Sequence, residues 1–125
     1  MVAQETIRIL VVDDEPTSRL TLKRQLNRAG FQNVFDTCDP EIAEIKIKSG
    51  EVDLVIADWY MPEISGLDLL HVLQKTKRKV PFIMVTSEGD REKVGEALHE
   101  GVSAYLLKPF DESLFLDTVF DALER

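Results

Sequence analysis

The sequence predicts an α/β fold: a (βα)5 unit in which five parallel strands, each followed by a helix, form a doubly wound sheet. Three observations predict it. Short apolar runs recur five times and end in polar residues, the pattern of strands buried on both faces. Apolar residues between the runs fall at helical spacing. No linker, repeat or low-complexity segment breaks the alternation, so right-handed crossovers put helices on both sides of the sheet. At 125 residues, 44% of them hydrophobic, residues 1–125 read as one domain with a real core.

The first run is Ile7 to Val12, closed by Asp13-Asp14. Pro16 suits a first helical turn. Leu22, Leu26 and Ala29 then follow at i, i+4, i+7 until Gly30 stops the helix. Val34-Phe35 marks a shorter second strand. Pro40 opens a helix ending at Gly50, although Ile45-Lys46-Ile47-Lys48 alternates as a strand would. Val52 to Ala57 is the third strand, stopping at Asp58 and then Pro62. Ser65-Gly66 leads into a helix with Leu69, Leu70 and Leu73 facing in. The fourth strand, Pro81 to Val85, ends at Thr86-Ser87. Asp90 reads as the N-cap of a helix with Val94, Ala97 and Leu98 inward and Gly101 as its C-cap. The fifth strand, Ala104 to Leu107, ends at Lys108-Pro109. Asp111 caps a last helix whose core stripe is Phe115, Val119, Ala122 and Leu123.

A net charge of −8 disfavours direct binding to nucleic acid or anionic lipid. The single cysteine, Cys38, has no partner for a disulfide or a metal and reads as a semi-buried residue at a strand end. No apolar stretch approaches the ~20 residues of a membrane span. The opening Met1-Val2-Ala3-Gln4-Glu5 lacks the pattern of a signal peptide, so a cytoplasmic protein is expected.

In a parallel sheet every strand delivers its end to one edge, where such folds bind ligands. Strand one delivers Asp13 and Asp14, strand three Asp58, strand four Thr86 and strand five Lys108. Carboxylates that close repel one another. A divalent cation relieves this, and an all-oxygen set suits Mg²⁺ or Mn²⁺. With a hydroxyl and an ammonium alongside, the set matches phosphoryl transfer to a carboxylate.

Asp13-Asp14, Asp58, Thr86-Ser87 and Lys108-Pro109, in that order, resemble the receiver domains of two-component response regulators. The resemblance spans essentially the whole chain. Asp58-Trp59-Tyr60-Met61-Pro62 and Gly66-Leu67-Asp68-Leu69-Leu70 are similar to the stand-alone chemotaxis type in particular. The resemblance implies a flavodoxin-like sheet of order 2-1-3-4-5. It implies Asp58 as phosphoacceptor, with Asp14, Asp58 and the Tyr60 backbone carbonyl ligating Mg²⁺ and Asp13 acting through water. Lys108 would contact the phosphoryl group, Thr86 would reorient towards it and Tyr105 would swing inward behind. A cis Lys108-Pro109 bond is implied as well. Tyr60 and Glu88 would flank the hydrolytic water and tune the phosphoryl lifetime, the bulk of Tyr60 slowing self-dephosphorylation.

The function so implied is a phosphorylation-activated switch rather than an enzyme acting on a separate substrate, one that catalyses its own phosphorylation and dephosphorylation. A histidine kinase or phosphotransfer protein would supply the phosphoryl group. With no effector domain expected after residue 125, the output would be affinity for a protein partner. That partner would dock on the face of the fourth helix, fifth strand and fifth helix. The protein would be a monomer or a phosphorylation-dependent dimer. A phosphorelay intermediate and a receiver cut from a longer regulator remain open.

Other classes fit worse. A phosphatase of the haloacid dehalogenase kind expects a second Asp where Tyr60 stands. A flavodoxin-like electron carrier expects a Ser/Thr/Gly-rich loop where Asp13-Asp14-Glu15-Pro16 would repel phosphate. A degenerate receiver would lack a key residue, and none is missing. His71 and His99 read as surface residues and Asp68 as part of a solvated face. Trp59 reads as packing, as a reporter of the metal site, or both. Gly95 costs its helix about 1 kcal/mol relative to Ala and marks it as a mobile element. Leu116 and Phe120 widen the last helix's apolar stripe, either as core or as an exposed patch.

Overall fold

A computed structural model describes residues 4–124; Met1, Val2 and Ala3 of the opening segment, and Arg125, lie outside it. A 3-10 turn, Gln4–Thr6, precedes the alternation. The strands are β1 (Arg8–Val12), β2 (Asn33–Thr37), β3 (Leu54–Ala57), β4 (Phe82–Thr86) and β5 (Ala104–Leu107). The helices are α1 (Pro16–Arg28), α2 (Pro40–Lys48), α3 (Gly66–Lys75), α4 (Arg91–Glu100) and α5 (Glu112–Glu124). All pairings are parallel, in the order β2-β1-β3-β4-β5.

Alternate residues of the buried strands face opposite ways, which builds two cores. Leu10, Val12, Val55, Ala57, Phe82 and Met84 meet Ala43 and Ile47 of α2, Leu69, Leu70 and Leu73 of α3, and Ala97 of α4. Ile9, Val11, Leu54, Ile56, Ile83 and Val85 meet Leu22 and Leu26 of α1 and Phe115, Val119 and Ala122 of α5. Each large apolar side chain fully buried here is worth about 1.5–3 kcal/mol of transfer free energy.

The helix ends follow their sequence signals. Asp90 accepts the Glu92 amide, and Asp111 accepts the Leu114 amide. Gly101 closes α4 with φ 117°, a left-handed conformation that a Cβ would strain. The segment Ile45 to Lys48 is helical: Pro40 and the Asp39 cap nucleate α2, and Ala43 and Ile47 share its buried face.

Three local readings are corrected and one is extended. Leu98 faces solvent, since the narrow stripe of α4 buries only Ala97 and leaves the rest of the helix free to turn outward. Cys38 is exposed because it follows the last residue of the edge strand β2. Asp68 is exposed as expected and also belongs to a capping box, its carboxylate accepting the Ser65 amide while Ser65 Oγ accepts the Asp68 amide. Val52 is buried but precedes β3, which starts at Leu54. Leu116 packs against the α1/α5 core, and Phe120, half-exposed, meets the Phe31 ring at 5.5 Å. No helix of the described residues is long and apolar enough to cross a membrane.

Candidate functional site

The register of the sheet assembles the site. Val12 pairs with Ala57, so Asp13 and Asp58 leave neighbouring strands side by side. The Asp58 amide bonds to the Val12 carbonyl at 3.1 Å and the Asp13 amide to the Thr37 carbonyl at 3.2 Å. Thr86 pairs with Leu107, and the Lys108 amide continues that ladder onto the Thr86 carbonyl at 2.8 Å. Asp13, Asp58, Thr86 and Lys108, distant in the chain, therefore share one edge.

Asp13, Asp14 and Asp58 each present a carboxylate oxygen within 4.8 Å of the other two. Lys108 Nζ bridges two of them, 2.9 Å from Asp13 Oδ2 and 3.1 Å from Asp58 Oδ2. Burial works against the charged ammonium. The Asp13 hydrogen bond and the Asp13 and Asp58 charges outweigh it and hold the Lys108 pKa above its ordinary value. Lys108-Pro109 is a cis bond.

The three acids have different surroundings. Asp13 is fully buried and saturated: its carboxylate accepts the Glu15 amide at 2.9 Å, Ser18 Oγ at 2.8 Å and Lys108. Arg19 donates to its main-chain carbonyl at 2.9 Å while pairing with Asp36 on β2. Asp58 is partly buried and weakly met by the Tyr60 amide at 3.4 Å. Asp14 is exposed and takes no hydrogen bond among the described residues. Three hard oxygen donors, one saturated and one unengaged, fit a small divalent cation of the Mg²⁺ type.

Around this core, Thr86 is buried and its Oγ1 accepts the Glu88 amide at 3.3 Å. Tyr105 is half-buried and donates its hydroxyl to the Glu88 carbonyl at 2.5 Å. Burial first, then the Glu88 charge, pushes its pKa up to about 12, so it remains a donor. Trp59 is buried, stacked on Tyr60 at 5.8 Å and edge-on to Tyr105 at 6.2 Å. Lys93 lies 5.8 Å from the Trp59 ring centroid. Away from this edge, His71 bonds to Glu100 at 2.6 Å, joining α3 to α4, and His99 is exposed.

Sequence reading missed Ser18, Arg19 and Gly66. Ser18 looks like routine helix-start chemistry, and Arg19 like a solvated cation. Gly66 looks like a helix start, yet a Cβ there would lie 2.5 Å from the Asp58 carbonyl oxygen and 2.7 Å from Met84 Sδ. The sulfur can move; the backbone carbonyl that carries Asp58 cannot move alone. Gly66→Ala is expected to cost roughly 1–3 kcal/mol, the range for overpacking. It should also weaken Mg²⁺ binding by displacing Asp58. Urea unfolding and a Mg²⁺ titration followed by Trp59 fluorescence check both effects; wild-type values in each would show that the loop accommodates a methyl group.

The family model for the response regulator receiver domain matches residues 9–120. The chain is 35% identical to the chemotaxis protein CheY-3 of Vibrio cholerae, over 98% of each chain. It is 35% identical to the chemotaxis protein CheY of Pseudomonas aeruginosa, over 95% of this chain and 98% of that one. Among solved structures, chemotaxis protein CheY4 of Vibrio cholerae superposes with a TM-score of 0.84 at 29% identity, covering 94% of this chain and 99% of that one. By its sheet order, the acids and lysine gathered at one edge and these likenesses, the chain belongs to the response regulator receiver domain family.

Proposed function

We propose that the chain is a phosphorylation-activated receiver for a chemotaxis-type two-component pathway, working as one unit over residues 1–125. The observation that carries this reading is a partly exposed carboxylate, Asp58, bonded to Lys108 and within 4.8 Å of two further carboxylates. The chemotaxis assignment comes from the names of its relatives.

Asp58 is the nucleophile. One of its oxygens bonds to the phosphorus of a phosphohistidine on a kinase or phosphotransfer protein. The phosphorus–nitrogen bond breaks, and the imidazole leaves with the electron pair. Asp14, Asp58 and the Tyr60 carbonyl would hold Mg²⁺ or Mn²⁺, with Asp13 reaching it through water. Bound there, the metal supplies positive charge to the phosphoryl oxygens. Lys108, already aimed at Asp58, supplies a fixed positive donor to the same group. Asp13 keeps Lys108 in place. Hydrolysis breaks the new phosphorus–oxygen bond and restores the carboxylate.

The added charge and acceptor oxygens draw the Thr86 hydroxyl and release the space behind it for Tyr105. The output surface is the α4-β5-α5 face, where Leu98 and Leu107 are exposed. A protein partner reads this face in the cytoplasm, with the receiver a monomer or a phosphorylation-dependent dimer.

Incubation with Mg²⁺ and acetyl phosphate is expected to add one group of about 80 Da, the mass of a single phosphoryl, by intact mass spectrometry. The adduct should vanish when EDTA replaces the metal. Absence of any adduct with Mg²⁺ present would overturn the reading.

A further inference from the structure

Tyr60 lies two residues beyond Asp58, and Glu88 two beyond Thr86. Asp58 directly follows β3, and Thr86 ends the neighbouring strand β4. The Tyr60 hydroxyl donates to Glu88 Oε1 at 2.8 Å, so a hydrogen bond joins the loops that border one side of the crevice. The second oxygen of that carboxylate, Oε2, accepts the Asp90 amide at 3.0 Å, and Asp90 caps α4. The Glu88 carbonyl holds the Tyr105 hydroxyl, and the Glu88 amide reaches Thr86 Oγ1. One residue thus ties the acceptor loop, the start of α4, β5 and the end of β4 together.

We infer that Tyr60 is a positioning residue that acts through Glu88: its hydroxyl fixes the Glu88 carboxylate across the crevice, so the two govern water access to Asp58, and hold the start of α4, as one unit. The part concerning water access rests on the phosphoacceptor role proposed for Asp58; the part concerning α4 does not. An isolated glutamate on an exposed loop samples many rotamers, and ordering it costs entropy. Here the ordering comes from a phenol on a ring stacked against buried Trp59, which delivers the hydroxyl from a rigid base. Bulk alone would require only the ring. The bond makes the oxygen atom matter, and it makes the effects of the two residues dependent on each other.

The test compares Tyr60→Phe, Glu88→Ala, the double variant and Glu88→Gln, which keeps an acceptor oxygen. After loading with acetyl phosphate and Mg²⁺, Tyr60→Phe and Glu88→Ala should each lose the phosphoryl group about threefold to tenfold faster, the factor that one hydrogen bond supports. The double variant should match either single one, and Glu88→Gln should restore most of the lifetime. A wild-type lifetime in Tyr60→Phe, or single effects that multiply in the double variant, overturns the inference. A second measurement needs no phosphoryl group. Amide hydrogen exchange at Asp90 and Val94 should accelerate in Tyr60→Phe while α5 is unchanged. Unchanged exchange at α4 removes the link to the helix. If wild-type protein takes no phosphoryl group at all, the function proposed above fails, and the exchange measurement still decides whether Tyr60 holds Glu88 and α4.

Discussion

Asp58→Asn is expected to abolish the phosphoryl adduct and leave the fold close to its original stability. The amide oxygen of asparagine is a poor nucleophile and carries no charge to attract a cation, so chemistry and metal affinity fall together. Stability behaves differently. At 4.8 Å, the outer limit of their spacing, two like charges repel by about 3.5 kcal/mol at an effective dielectric constant of about 20, and Asp58 faces two such neighbours. Its attraction to Lys108 at 3.1 Å is worth about 5 kcal/mol on the same scale. Removing the charge therefore relinquishes one attraction of about 5 kcal/mol and two repulsions of about 7 kcal/mol together, and water around exposed Asp14 screens its share, so the two sides nearly cancel. Without metal, the variant should unfold in urea within about 1 kcal/mol of wild type. With saturating Mg²⁺ the wild type should pull ahead, because a ligand that binds only the folded state stabilises it. An adduct that persists in Asp58→Asn would mean that another residue accepts the group.

Lys108→Met should damage both properties. The methionine keeps most of the side chain's length but leaves Asp13, 1% exposed, beside Asp58 without a counter-charge. Removing one partner of a buried pair costs roughly 3 kcal/mol or more. Mg²⁺ should recover part of this by replacing the missing positive charge. The rate of adduct formation should fall roughly 10²–10³-fold, the usual cost of losing one preorganised donor to the transition state. The pH dependence follows from the raised Lys108 pKa. Its stabilisation is fully present below the ordinary lysine value of 10.5 and is lost only as pH rises through the higher value of the folded state. The stability gap between wild type and variant should therefore stay flat from neutral pH to about 10 and close above it. A gap of zero at neutral pH, with and without metal, would show that the bridge to Asp13 and Asp58 contributes nothing.

The five strands and five helices were legible because their signals are local. Ile9 to Val12 and Leu54 to Ala57 are continuous apolar runs, and continuity is what burial on both faces demands. Leu22/Leu26 and Phe115/Val119/Ala122 repeat at the period of a helix packed on one side. Where the local signal thins, the reading fails: α4 has one buried residue, which is too little to set the helix's rotation, and Leu98 turns outward. Asp68 shows a different limit: it is solvated as its type implies, while its capping of α3 depends on where the chain bends.

The sequence by itself determined the alternation of strands and helices, and hence which residues stand at strand ends: Asp13, Asp14, Asp58, Thr86 and Lys108. These depend on residue type and spacing, which the chain carries wherever it folds. Only the tertiary structure decided how those residues are held. The grip of Ser18 and Arg19 on Asp13, the contact that forbids a side chain at Gly66, and the bond from Tyr60 to Glu88 are distances between segments and choices of rotamer. No period or composition encodes them, because each arises only when packing has fixed the backbone to within the length of a hydrogen bond.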